Sequence, residues 1–241
     1  MIKRQQAINM QEGEGVSVKR LMPVANFRNY DPFVLWDDFS ITPGNGFPTH
    51  PHRGFEAITY LFNGSINHAD NLGNDSTVSG GGAQRFTAGR GIEHSEMPHQ
   101  HALTRGIQFW INLPQRLKGI EPDYQQVNDG EFPVQEIEGG RIKTLVGDGS
   151  PLMIKTPMRY LEIELNAGAG HREVIPTGMR GFIYVVDGKI DVNQKRFQTG
   201  ESAFFEDEGR IEIHAVEQSH LMLTYGQAHG EPIIQYGPFV D

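Results

Sequence analysis

The stretch Tyr60-Leu61-Phe62-Asn63-Gly64-Ser65-Ile66 returns 124 residues later as Tyr184-Val185-Val186-Asp187-Gly188-Lys189-Ile190. Both copies read tyrosine, two apolar residues, a turn former, glycine, a polar residue and isoleucine. Asn-Gly and Asp-Gly are strong hairpin signals, because both central positions of a type I′ turn take positive φ. Each copy is therefore expected to be a β-hairpin. Farther on, Gly82-Ala83-Gln84-Arg85-Phe86 is answered by Gly200-Glu201-Ser202-Ala203-Phe204, now 118 residues away. The shorter offset fits a longer loop around Asn71-Leu72-Gly73-Asn74-Asp75 in the first half. A repeat at half the chain length implies two copies of one β-domain, divided into 1–134 and 135–241. The connection carries prolines and charges and lies within 114–140.

The flanking segments agree. Phe33–Trp36, Ala57–Phe62, Arg105–Leu113, Tyr160–Leu165 and Arg210–Ala215 are rich in β-branched and aromatic residues, and the last two alternate cleanly. Helical periodicity is scarce, and 29 glycines and 14 prolines supply turns for an all-β fold. A chain of 241 residues has room for two domains with cores of their own. With 37% hydrophobic and 21% charged residues the composition is that of a globular protein. A net charge of -9 with no dense Lys/Arg cluster disfavours direct nucleic-acid binding. The absence of cysteine excludes disulfides, thiolate ligands, iron–sulfur clusters and cysteine nucleophiles. No apolar run reaches the length of a membrane span, so no membrane partner is expected, and MIKRQQAINM has no apolar signal region. The expected location is the cytoplasm. Gly80-Gly81-Gly82 lacks the following Lys-Ser/Thr of a phosphate loop and reads as a turn.

The chemistry is carried by His50-Pro51-His52 and His94-Ser95-Glu96. On a strand, residues spaced i, i+2 leave the same face. Two neighbouring strands of this kind can aim three imidazoles and one carboxylate at a point, which suits a divalent transition metal with positions left open. The longer offset carries the His pair to Val174 and Pro176, neither of them a ligand. The shorter one carries His94 and Glu96 to Glu212 and His214, a reversed pair without partners. One metal site is therefore expected, in the N-terminal copy, with a metal-free C-terminal copy. His99-Gln100-His101 follows a proline among polar residues and reads as a solvated loop. No ligand pairing is expected for His68, His171, His214, His220 or His229. Of the two nearby carboxylates, Glu96 is the expected ligand, and Glu56 a neighbour of the site or an ordinary strand residue.

The spacing Gly44, His50, His52, Glu56 resembles the first cupin motif, and Gly91 with His94 resembles the second. More closely, Gly46–Glu56 and Thr87–Pro98 resemble the signature stretches of the pirin family. So do Asp31-Pro32-Phe33, Gln108–Pro114 and the tail Gly230–Val240. This resemblance implies a bicupin, two antiparallel jelly-roll β-barrels facing each other, with metal in the N-terminal one. By the same resemblance His50, His52, His94 and Glu96 are the ligands of one ion, Fe(II) in the first place, with Zn, Mn, Ni, Co or Cu also accepted. It implies quercetin 2,3-dioxygenase-type cleavage of a flavonol-like aromatic by O2, or alternatively a non-catalytic metal-binding interaction protein or transcriptional co-regulator with a protein partner. For catalysis, Glu96 is the expected general base, and Phe47, Ile92, Met97 and Trp110 are candidate pocket walls or, equally, ordinary barrel core. A monomer is expected.

Overall fold

The computed structural model describes residues 2–12, 15–99 and 103–241. The described chain is built from strands, with two single-turn 3₁₀ helices at Gln115–Leu117 and Asp129–Glu131. None of its helices is long and apolar enough to cross a membrane.

The chain forms two compact units, each of one seven-stranded and one four-stranded antiparallel sheet. The sheets remain open, so each unit is a jelly roll of two facing sheets rather than a closed barrel, within the all-β jelly-roll class that the resemblance implies. The first unit comprises Ile8–Glu131 and His229–Asp241. Its large sheet runs, in spatial order, Asp123–Val127, Ala83–Thr87, Phe55–Asn63, Thr104–Asn112, Phe33–Ile41, Val16–Met22 and Ile8–Gln11. Its small sheet runs Phe47–His52, Ile92–Pro98, Ser65–Asp70 and Asp75–Ser79. The second unit comprises Phe132–Ala228 with the N-terminal segment up to Ala7. Its large sheet repeats the order with Lys3–Gln6, Glu201–Glu206, Met179–Asp187, Ser219–Gln227, Met158–Leu165, Gly140–Val146 and Val134–Ile137. Tyr60 and Tyr184 thus stand on the third strand of equivalent sheets. A contiguous split at 134 and 135 differs from this division at both chain ends. The N-terminal strand Lys3–Gln6 pairs with Glu201–Glu206, and the C-terminal Val240 packs in the core of the first unit.

The repeat does not make hairpins. Phe55–Asn63 and Ser65–Asp70 belong to different sheets, as do Met179–Asp187 and Lys189–Val192. Asn63-Gly64 and Asp187-Gly188 are corners where the chain leaves one sheet for the other. Only the glycines have positive φ, 80° and 92°, so neither corner is a type I′ turn. The two-residue hairpin with both central φ values positive is Asn193-Gln194, at 44° and 67°, joining Lys189–Val192 to Lys195–Gln198. The segment 114–140 is more than a connection, since it contributes the strands Asp123–Val127 and Val134–Ile137.

The cores of the two units differ. In the second, Leu161, Ile163, Ile183, Val185, Leu221 and Leu223 belong to one continuous apolar cluster. In the first, the interior divides into a cluster around Phe55, Phe86 and Trp110 and another around Val18, Phe39 and Leu61. Strand alternation places Asp37, Thr59, Gln84 and Gln108 on the same inner face, between those clusters, and Asp37, Thr59 and Gln84 are buried.

Candidate metal centre

Phe47–His52 is an edge strand of the small sheet, which is why it tolerates Pro48 and Pro51: an edge leaves their missing N–H without consequence. It pairs with Ile92–Pro98 so that His50 lies opposite His94 and His52 opposite Ile92. The register shifts between His94 and Glu96, and Glu96 falls opposite Phe47. Such a bulge re-aims side chains locally. The ring centroids of His50 and His52 are 4.6 Å apart, those of His50 and His94 4.6 Å, and those of His52 and His94 5.0 Å. Their ligand nitrogens all lie within 4.8 Å of one another. Aromatic rings fix the imidazoles: His52 stacks on Phe86 at 5.3 Å and meets Trp110 edge-on at 5.0 Å, and Phe86 meets His94 at 4.6 Å.

Each imidazole has its Nδ1 engaged. That of His50 donates to the Pro48 carbonyl at 2.8 Å, that of His52 to the Pro238 carbonyl at 3.2 Å, and that of His94 lies 3.4 Å from His68 Nδ1. His94 Nε2 is buried with no hydrogen-bond partner among the described residues. Burial, followed by the neighbouring His94 and His50, lowers His52 from 6.5 to about 3. Burial, with His50 and His68 next, lowers His94 to about 2. Both rings are neutral at physiological pH, as imidazole ligands must be. Converging neutral rings and an orphaned buried nitrogen fit a transition-metal ion.

Glu96 is buried beside this group but is not among the residues whose ligand atoms lie within 4.8 Å of one another. Its Oε1 accepts from the Thr59 hydroxyl at 2.8 Å and from Gln84 Nε2, and its Oε2 from Gln108 Nε2 at 3.1 Å. Glu96, His50 and His52 line a cavity of about 360 Å³. Phe47 and Trp110 are also on its wall, whereas Ile92 is packed in the core and Met97 is exposed. At another part of the wall Arg20 grips Asp37 through Nε and Nη2 at 2.9 and 2.6 Å. The C-terminal segment adds Gln235, Gly237 and Pro238. It is held by Lys118 Nζ, which donates to the carbonyls of Gly54 and Val240, at 2.9 and 2.8 Å, and by the Arg53–Asp241 pair.

Glu56 is fully buried on the other face of its strand, where it accepts from the Thr87 hydroxyl at 2.7 Å. Alternation from the inner residues Phe55, Ala57 and Thr59 already sends it there. His99 is exposed, and His101 lies outside the described residues. His68, expected to have no pairing with the site, is fully buried against His94 and donates through Nε2 to Asp70 Oδ2 at 2.9 Å. The spacing His68-x-Asp70 was its signal.

In the second unit, Glu212 and His214 are exposed and the buried residues of their strand are Ile211, Ile213 and Ala215. The second half of the repeat is one residue out of step: Tyr60 pairs with Ala83 but Tyr184 with Ser202. A slip of one residue reverses every face. Val174 and Pro176 are also exposed. The partly buried pair on the strand equivalent to Phe47–His52 is His171 and Glu173, joined at 2.9 Å. Glu173 also accepts from the Tyr225 hydroxyl at 2.9 Å and lies 3.3 Å from Arg159. Glu162, Glu164 and His220 form a second close group, crossed by Lys143 and Arg141.

Imidazoles from adjacent strands of a jelly-roll unit, opening on an internal cavity, define a metal-site protein of the cupin class. The "Pirin" family pattern matches residues 15–111, and that of the "Pirin C-terminal cupin domain" matches 160–241. Human Pirin is 37% identical over 240 residues, covering 95% of this chain and 83% of the human protein. The chain belongs to the pirin family. A structure of quercetin 2,3-dioxygenase from Acinetobacter baumannii superposes with a TM-score of 0.88 at 27% identity, covering 99% of this chain and 90% of that one. The bacterial pirin YhhW of Escherichia coli in complex with nickel(II) superposes with a TM-score of 0.79 at 27% identity, covering 95% and 99%.

Proposed function

We propose that this chain is a metal-dependent dioxygenase that opens the heterocyclic ring of flavonols or related enediol-like aromatics. The observation that carries this reading is the convergence of three imidazoles, two of them held neutral by burial, beside a cavity of about 360 Å³ that is also lined by the carboxylate of Glu96. Cavities of this size take small aromatic ligands. The likeness to a quercetin 2,3-dioxygenase supports it.

His50, His52 and His94 would hold the ion, with Fe(II) the first candidate, and Glu96, buried beside their close group, would be the fourth ligand once its carboxylate turned towards the ion. Such an ion supplies a positive charge that favours an ionised substrate hydroxyl and a redox centre for O2. The protein's own residues do the rest. Glu96 accepts the proton of the substrate hydroxyl at Oε2, the oxygen with one donor on it where Oε1 has two. Thr59, Gln84 and Gln108 hold that carboxylate in place. Phe47 and Trp110 receive flat rings and exclude water. The overall reaction takes one O2 into the opened product and releases carbon monoxide.

The test is reconstitution of the metal-free protein under anaerobic conditions with Fe(II), Mn(II), Ni(II), Co(II) or Cu(II), followed by quercetin and O2. Loss of the flavonol absorbance with stoichiometric carbon monoxide is expected for at least one metal, and Glu96→Gln should lower turnover at least 100-fold at equal metal occupancy. A fully loaded protein with no turnover on any flavonol would leave the non-catalytic, partner-binding reading in possession.

A further inference from the structure

We infer that His68 and Asp70 form a relay that fixes the tautomer of His94, making His68 a positioning residue of the metal centre. The inference rests on the reading of His94 as a ligand. For His50 and His52 the tautomer is set directly, because their Nδ1 atoms face carbonyl oxygens, which only accept. The partner of His94 Nδ1 is another imidazole nitrogen, which can donate or accept. The choice is made one residue farther away.

Asp70 Oδ1 accepts from the backbone N–H groups of Leu72 and Asn74, both at 3.0 Å, and its Oδ2 is 2.9 Å from Asn74 Nδ2. Surrounded by donors, this carboxylate is an acceptor, so His68 Nε2 at 2.9 Å must carry a hydrogen. With its one ring hydrogen on Nε2, His68 presents the lone pair of Nδ1, which accepts from His94 Nδ1–H at 3.4 Å. His94 is left with its lone pair on Nε2, the nitrogen without a partner among the described residues. His68 cannot turn away from this role: it is fully buried and stacks on Tyr124 at 4.1 Å with the planes 15° apart. The loop that shapes Asp70 is also latched beside His94, through Asn71 N to the Glu93 carbonyl at 3.0 Å and Glu93 N to Asn71 Oδ1 at 3.2 Å. This is the loop that makes the first copy of the repeat longer. The second copy replaces it with the tight Asn193-Gln194 turn.

Two measurements test the relay. Long-range ¹⁵N–¹H correlation spectra of the metal-free protein report each histidine tautomer without any metal or activity. They should show His94 with its proton on Nδ1 and His68 with its proton on Nε2. Metal affinity by chelator competition, with Zn(II) as the probe, should weaken about 10- to 100-fold in His68→Leu, as loss of a ligand's hydrogen-bond partner does. His68→Gln, whose side-chain oxygen can accept from His94, should recover most of that loss at the same thermal stability. A wild-type His94 protonated on Nε2 would overturn the relay. So would a folded His68→Leu with unchanged affinity, or a folded His68→Gln as weak as His68→Leu. A wild-type protein with the expected tautomers that binds no metal would instead overturn the ligand reading on which the relay rests.

Discussion

His52 and His94 carry the energetic cost of the site in the metal-free protein. Burial, reinforced by the adjacent imidazoles, lowers them from 6.5 to about 3 and about 2. In the unfolded chain both protonate near pH 6.5. Below that pH the unfolded state binds more protons than the folded one, so stability falls with acidification. The fall begins as pH drops through about 6.5 and continues towards the folded values. Each ring adds a slope of up to about 1.4 kcal/mol per pH unit. Urea unfolding of the chelator-treated protein between pH 7 and pH 4.5 should show this steep loss, and a His52→Gln/His94→Gln double variant should flatten it. Equal pH dependence of the two proteins would mean that the imidazoles are not neutral in the fold. A bound ion competes with the same protons, so metal occupancy should fall over the same range.

The strands and corners show how much of this was legible in the sequence. Alternation exposed the β class and the His-x-His strand, because a period of two survives any tertiary context that buries one face, and the returning Tyr60–Ile66 stretch exposed the two copies. The corners were misread because Asn-Gly supplies positive φ to any tight reversal, and a crossing between sheets needs it as much as a hairpin does. Thr59, Gln84 and Gln108 went unseen because single polar residues on an inner face stand out only once that face is known. His68 was missed for the related reason that its partner His94 is 26 residues away in sequence and comes beside it only when their two strands pair in the small sheet. The corner glycines make a prediction. A Cβ on Gly64 would lie 2.7 Å from Thr104 Cα, and one on Gly188 2.8 Å from Ser219 Cα. Gly168 has a similar φ, 82°, with nothing within 4 Å of its would-be Cβ. Gly64→Ala and Gly188→Ala should each destabilise by about 2 to 4 kcal/mol in chemical denaturation, and Gly168→Ala by about 1 kcal/mol, the strain alone. Three equal losses would show that the close approach of backbone at the corners does not matter.

At the scale of the molecule, the two copies differ on one inner face. The second unit keeps a continuous apolar core, and the first interrupts its core with the polar belt beside which the imidazoles gather. Each large sheet also needs an edge strand from outside its own copy of the repeat. In the first unit this is Asp123–Val127, from the connecting segment, and in the second it is Lys3–Gln6, from the far N-terminal end. That strand completes Glu201–Glu206, Ile2 is buried in the same core, and Lys195 Nζ donates to the Ile2 carbonyl at 3.0 Å. Deleting residues 2–7 should therefore weaken the second unit although these residues precede the first in sequence. Loss of Ile2 burial alone is worth about 2 kcal/mol, and the unpaired strand edge adds about 1 to 2 kcal/mol. The proposed ligands His50, His52, His94 and Glu96 all belong to the first unit, so the truncated chain should still bind one equivalent of metal per chain with unchanged affinity. Urea unfolding combined with elemental analysis after dialysis reads both quantities. Unaltered stability would mean that Lys3–Gln6 is a passive edge, and lost metal would mean that the site leans on the second unit after all.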